Sequence, residues 1–122
     1  MRIRRADSAD LPGVMNVLDG ANLAVDVETV ARRIETEHVI VAERGAINGV
    51  LQAVPRREGV HVEALAVRRR RRRQGVGTEL LDAAYGRWGR VTASCDRELM
   101  AFYRSGGFDV RSQGSRCFGE RT

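Results

Sequence analysis

The sequence predicts an α+β fold in which one sheet is layered against helices, in the chain order β-α-α-β-β-β-α-β-α-β-β. Three observations lead there. Four stretches carry apolar residues at the i, i+3, i+4 spacing of an amphipathic helix. Between them lie short apolar or alternating runs, the period expected of strands. Glycine-bearing turns mark the boundaries. With 122 residues the chain can bury one core but not two, so a single domain over 1–122 is expected.

Residues 2–5 (RIRR) read as a short edge strand. In ADSADLPGVMNVLDG, Asp7 or Ser8 can cap a helix, and Pro12 is tolerated only in its first turn. Leu11, Val14, Met15 and Leu18 follow helical spacing, and Gly20 is a plausible stop. A second helix starts near Asp26, with Val27, Val30, Ala31 and Ile34 on one face and Glu28, Arg32, Arg33 and Glu35 on the other.

The period then changes. HVIVAE (38–43) is a nearly continuous apolar run, as in a strand covered on both sides. INGVLQAV (47–54) is the next strand. Asn48-Gly49 is itself a hairpin signal, but the turn is placed at Arg44-Gly45, with Gly49 a bulge or close-approach position inside the strand. PRREG (55–59) turns into VHVEALAV (60–67). Val76, Leu80, Ala83 and Ala84 form the apolar face of a helix over 76–85, with Gly86 near its end. RVTASC (90–95) is a strand, and residues 97–105 a helix with Leu99, Phe102 and Tyr103 on one side. Gly106-Gly107 closes it, and short strands at 108–111 and 116–119 flank Gln113-Gly114.

The net charge is +5 and the sequence pI about 10.5. Six positive charges come from the arginines at 68–73; without them the net would be about −1, so the basicity is local. The two cysteines, Cys95 and Cys117, make neither a disulfide framework nor a zinc pattern, and two reduced thiols are expected. No metal is expected. No signal-peptide pattern and no apolar stretch near 18 residues occur, so a soluble cytoplasmic protein without membrane contact is expected.

The arginine run does not stand alone. VEALAV leads into it and an amphipathic helix leaves it, with Arg72-Arg73-Gln74-Gly75-Val76-Gly77-Thr78 between. Glycines at 75 and 77 remove side chains where a ligand must approach the backbone. The helix start points unpaired N–H groups and a positive dipole end at the loop. Together these suit a phosphate or pyrophosphate. The simpler reading is a tight turn between strand and helix. Neither the GxxxxGK[ST] loop of nucleotide triphosphatases nor the three-glycine dinucleotide fingerprint is present.

At these residues the sequence resembles the GNAT superfamily of acyl-CoA-dependent N-acyltransferases. Their signature, Q/R-x-x-G-x-G/A after the fourth strand, fits Arg72 to Gly77. Leu65-Ala66-Val67 matches the family's L-x-V strand end. DRELMAFYRSGGF supplies Tyr103 and Gly107-Phe108 at the family's spacing, and IRRADSADLPGVMNVL looks like its usual beginning. The resemblance spans nearly the whole chain. It departs from the family at Asp96, where an asparagine is usual, and at Arg69 and Arg71, which replace a proline and an aromatic.

The resemblance implies a mixed, mostly antiparallel sheet flanked by helices, and transfer of an acetyl group from acetyl-CoA to an amine. Backbone N–H groups of residues 73–78 (Arg73, Gln74, Gly75, Val76, Gly77, Thr78) can hold the pyrophosphate, and Arg72 joins them as a cofactor-binding residue. The resemblance also implies that the backbone of Leu65, Ala66 and Val67 pairs with pantetheine and polarises the thioester. Tyr103 becomes the candidate general acid, since a phenol near pKa 10 can protonate a thiolate whose conjugate acid lies near 8.5. Without the family match it would be a core aromatic. Glu63 is the candidate base, raised in pKa by burial; His61 shares its strand parity, and both equally suit partly exposed strand positions. An amine arriving neutral would need no base.

Two rivals stand beside this reading. A nucleic-acid module would use the arginine run, but no aromatic interleaves it. A non-catalytic acyl-CoA-binding protein would keep the loop and lose the chemistry. The acceptor stays open between a small molecule and a protein amine, and homodimers are common in the family.

Overall fold

Why the chain forms a sheet with two covered faces is plainest at β2 (Val39–Arg44), a strand of the computed structural model, which describes all 122 residues. Successive side chains of a strand point to opposite faces. Val39 and Val41 enter one buried cluster, Ile40 and Ala42 another. A continuous apolar run is therefore what a strand between two helical layers requires.

Seven strands make one sheet: β1 (Arg2–Arg5), β2, β3 (Ala46–Pro55), β4 (Val60–Val67), β5 (Val91–Asp96), β6 (Asp109–Gln113) and β7 (Arg116–Arg121). Their spatial order is β1-β2-β3-β4-β5-β7-β6, and every pairing is antiparallel except β4 with β5. Helices α1 (Leu11–Gly20) and α2 (Val27–Glu35) cover one face, where Val14, Val17, Leu18, Val30 and Ile34 are buried with Val50. Helices α3 (Val76–Trp88) and α4 (Met100–Ser105) cover the other, where Leu80, Leu81, Ala84 and Tyr103 are buried with Leu51 and Val91. The expected order of elements and the mixed, mostly antiparallel sheet are both present.

Two bulges set how side chains face. In β3 the pairing moves from Ala42↔Gly49 to Glu43↔Ile47, which leaves Asn48 as an extra residue. The turn lies at Gly45 (φ 74), as expected. The buried Asn48 bonds the carbonyls of Arg44 (3.3 Å) and Ala46 (2.9 Å). Gly49 is a close-approach position: a Cβ there would lie 2.9 Å from Val76 Cγ1, so the glycine lets α3 start against the sheet. In β4 the pairing moves from Gln52↔Ala64 to Ala53↔Val62, leaving Glu63 as the extra residue. Val60 and Val62 consequently lie in the α3/α4 core, whereas Ala64 and Ala66 lie in the α1/α2 core.

Some expectations are corrected. The first helix begins with a 3-10 turn at Ser8–Asp10, where Asp7 accepts from the Ala9 N–H and Asp10 accepts from the Asp7 N–H. Gly86 does not end α3, because one interior glycine costs only about 1 kcal/mol and Trp88 beyond it packs on the core. The stop is Gly89, at φ 76, whose N–H bonds the Tyr85 carbonyl. Residues 97–99 form a 3-10 turn before α4. The thiols are not free: Cys95 and Cys117 stand opposite each other on β5 and β7, Cα atoms 5.1 Å apart, and are joined as a disulfide. A separation of 22 residues in sequence could not show that register. No helix is long and apolar enough to cross a membrane.

Candidate active site

The site begins where β4 and β5 part. They pair only at Val60↔Val91 and His61↔Thr92. Gly59 closes this junction: at φ 90 it brings the turn so near β5 that a Cβ would fall 1.9 Å from the Arg90 carbonyl oxygen. The Val60 N–H donates to that same oxygen at 2.9 Å. Beyond His61 the strands splay, and β4 has β3 as its only strand partner. An opened strand edge is a row of backbone donors and acceptors for an extended ligand.

The splay leads into a cleft of about 770 Å³. One wall is Leu65, Ala66 and Val67 of β4, and the bulge at Glu63 is what turns Leu65 and Val67 toward the α3 side. At the end of β4 the cleft meets the arginine-glycine loop. Arg73 (φ 64) and Gly75 (φ 80) are left-handed, and helical Val76 follows. That alternation of hand turns successive N–H groups to one side. The first bond of α3 runs from the Glu79 N–H to the Gly75 carbonyl at 2.9 Å, so the N–H groups of Val76, Gly77 and Thr78 have no helical acceptor. A Cβ on Gly77 would lie 3.0 Å from Phe102 Cζ, which is how closely this helix start seats on α4.

The arginines divide their work. Arg68 donates to the Ile47 carbonyl (2.8 Å) and to Asn16 Oδ1 (2.9 Å), and Arg72 to the Val67 carbonyl (3.1 Å). These two hold the loop to the sheet. Arg71 lines the cleft with its Nε enclosed and without an acceptor. A buried unpaired guanidinium N–H is costly, and an anion in the cleft would relieve it. The run is thus a loop anchored at Arg68 and Arg72, with one enclosed and unpaired Nε–H, that of Arg71, between them.

Tyr103 lines the opposite wall from α4. It is 5 % exposed, set edge-on between Phe102 and Phe108 with ring centroids 5.1 and 5.3 Å away. Burial pushes its phenol above the ordinary value of 10.0, so it keeps its proton at neutral pH. Asp96 does not line the cleft and accepts from Arg116 Nη1 at 2.6 Å.

The α1/α2 face of the junction carries the other candidates. Glu63 receives Arg33 Nε (2.7 Å) and Nη2 (3.1 Å) from α2 and Gln52 Nε2 (3.2 Å) from β3. The Arg33 guanidinium holds its carboxyl below the ordinary value of 4.5, with Gln52 adding to the effect. This corrects the expected direction: burial alone would raise the carboxyl, and the bidentate cation outweighs it. His61 lies beside it, Nδ1 2.7 Å from Thr92 Oγ1, and burial lowers the imidazole from 6.5.

Of the cofactor residues read from sequence, Leu65, Ala66, Val67, Arg72, Arg73, Gly75, Val76, Gly77 and Thr78 line one cleft with Tyr103. Gln74 instead braces the loop, its Nε2 on the Arg70 carbonyl at 3.2 Å, and Glu63 lies outside the cleft. Ala21, Arg71, Glu98, Leu99 and Phe102 were not foreseen as lining residues. Arg71 was hidden by having five arginine neighbours, and Ala21 reaches the cleft only through the packing of α1.

Solved structures share this architecture. The ribosomal-protein-alanine N-acetyltransferase of Brucella melitensis matches with TM-score 0.77 and 23 % identity, covering 99 % of each chain. The PaiA N-acetyltransferase of Thermoplasma acidophilum, solved with coenzyme A, matches with TM-score 0.78 and 15 % identity, over 99 % of this chain and 98 % of that one. The ribosomal-protein-S18-alanine N-acetyltransferase of Escherichia coli matches with TM-score 0.78 and 15 % identity, over 98 % and 92 %. At these identities the likeness is one of fold. No curated protein matches the sequence. The family model described as the acetyltransferase (GNAT) domain matches residues 35–110, more than half of the chain, and the chain therefore belongs to the GNAT family, an acyl-CoA-dependent N-acetyltransferase that moves an acetyl group from acetyl-CoA to an amine.

Proposed function

We propose that acetyl-CoA lies in the splay with its pyrophosphate on the loop of residues 72–78 and its pantetheine along the open edge of β4. The observation that carries this is the continuity of the edge with the loop: the strand loses its β5 partner after His61 and ends at a turn whose left-handed Gly75 opens the N-terminus of α3. Arg71 answers a phosphate. The β4 backbone at Leu65 to Val67 polarises the thioester carbonyl as charge develops on its oxygen.

The acceptor amine approaches over the α1/α2 face. Glu63, held ionised by Arg33, supplies the carboxylate that draws an ammonium to the junction. Tyr103 gives its proton to the departing coenzyme A thiolate, for which a buried, neutral phenol is suited. Two of the similar structures are named ribosomal-protein-alanine N-acetyltransferases, so the amine of a peptide beginning in alanine is the first acceptor to try. We place the protein in the cytoplasm and take a homodimer as its assembly.

The test is melting at fixed salt with acetyl-CoA, coenzyme A, ATP or a short oligonucleotide added separately. A ligand at about 100 times its Kd adds roughly 2.7 kcal/mol, several degrees for a chain of this size. A shift with the coenzyme A forms supports the site. A shift with the oligonucleotide alone refutes it, and coenzyme A binding without turnover of any amine would make the protein a sensor.

A further inference from the structure

We propose that His61, and not Glu63, takes the proton from the acceptor ammonium, with Thr92 as its positioning residue. The inference rests on the acetyl-CoA reading of the splay and names one residue of that reaction.

His61 sits at the last paired position before β4 and β5 part, opposite Thr92, so its ring stands where the open edge begins. Alternation along the strands puts both side chains on the α1/α2 face, away from Val60, Val62, Val91 and Ala93 in the other core. Thr92 Oγ1 lies 2.7 Å from His61 Nδ1 and 3.5 Å from the Val60 carbonyl. On this assignment the hydroxyl proton serves the Val60 carbonyl, at the 3.5 Å limit of a hydrogen bond, and Nδ1–H donates to the hydroxyl oxygen. Nε2 is then the unprotonated nitrogen, free to accept.

The neighbours separate the two candidates. The charged groups acting on His61 are Arg56, from the turn before β4, and Glu63 along the strand; behind Glu63 stand Arg33 of α2 and the neutral Gln52 of β3. Burial and Arg56 keep the ring neutral at pH 7, while Glu63, tied by two bonds to a guanidinium, is a weak base. All 21 basic residues are arginines, so no lysine amine competes for the role. In the step, Nε2 takes one ammonium proton and the neutral amine nitrogen attacks the thioester carbon. The C–N bond forms, the C–S bond breaks, and its electron pair leaves on sulfur, which takes the Tyr103 proton. The remaining excess proton on nitrogen returns to the Tyr103 oxygen, and imidazolium releases its proton to water.

The chain has two histidines, so nitrogen-15 NMR with His38→Asn for assignment reads His61 by itself. Protonated Nδ1, bare Nε2 and a midpoint below 6.5 are expected; an Nε2–H tautomer at neutral pH overturns the proposal. With acetyl-CoA and a hexapeptide beginning in alanine, kcat/KM should rise with pH through that same midpoint. His61→Asn, which keeps an amide for Thr92, should lower kcat by about 10²-fold, leave KM for acetyl-CoA unchanged and abolish the acid limb. Glu63→Gln should slow the enzyme and retain the limb. The reverse pattern, a limb lost in Glu63→Gln and kept in His61→Asn, overturns the assignment. If acetyl-CoA raises the melting temperature but the hexapeptide is inert, the acceptor class fails, and the imidazole tautomer decides the role of His61.

Discussion

At Val60 and His61, β4 is paired on both edges, with β3 and with β5; from Val62 onward its only strand partner is β3, with Glu63 bulged out of that register. The residues that face the α3/α4 side are aliphatic both before the bulge, Val60 and Val62, and after it, Leu65 and Val67. Yet Val60 and Val62 are buried in the α3/α4 core, while Leu65 and Val67, which the bulge turns to that same side, line a cleft. The difference teaches that a binding edge here is made by where a strand loses its partner, and that one inserted residue decides which side chains face the opening. The paired end supplies rigidity, and the open end supplies unsatisfied backbone.

The comparison can be broken most severely at its closed end. Gly59→Ala drives a Cβ into the Arg90 carbonyl and adds strain at φ 90, so it should cost about 3 kcal/mol, on the order of 10 °C in Tm by calorimetry. A variant as stable as the parent would mean that the junction is not the rigid end.

Tyr103→Phe probes the open end next. It removes only a hydroxyl, so kcat should fall about 10²-fold with Tm and acetyl-CoA affinity retained. Reduced affinity at unchanged kcat would assign Tyr103 to packing.

Arg71→Met keeps most of the apolar stem and removes the enclosed Nε–H. Coenzyme A binding by calorimetry should weaken about 10-fold, near 1.4 kcal/mol, with stability unchanged; equal affinity would remove Arg71 from the phosphate site.

The smallest effect belongs to the pair beside the bulge. Glu63 has a folded pKa below its ordinary 4.5, so its stabilisation is complete above that value and is lost as pH falls through the lower folded one. The partly exposed pair should contribute under about 1 kcal/mol. Glu63→Gln should therefore lose little at pH 7 and show a shallower loss of stability between pH 5 and 3. Denaturant titrations at both ends of that range read the difference, and identical slopes would deny the pair any part in stability.

Much of this was legible in the chain. The switch from helical spacing to apolar runs located all seven strands and the four helices, because burial period follows from backbone geometry. Glycine at 75 and 77 after a basic run marked the loop, because only a backbone free of side chains serves an anion so closely. The ends of α3 were less legible, since Gly86 carries no information about the core contact of Trp88 beyond it.

What the residues determined by themselves is therefore the order of elements, the loop and the candidate acid on the helix that faces it. Only the tertiary structure decided the rest. Pairing register placed Cys95 against Cys117 and made Glu63 a bulge; long-range contact gave Glu63 its Arg33 and His61 its Thr92. Protonation states belong to this second class, because a carboxyl or an imidazole takes its pKa from neighbours that lie some 30 residues away in sequence and a few ångströms away in space.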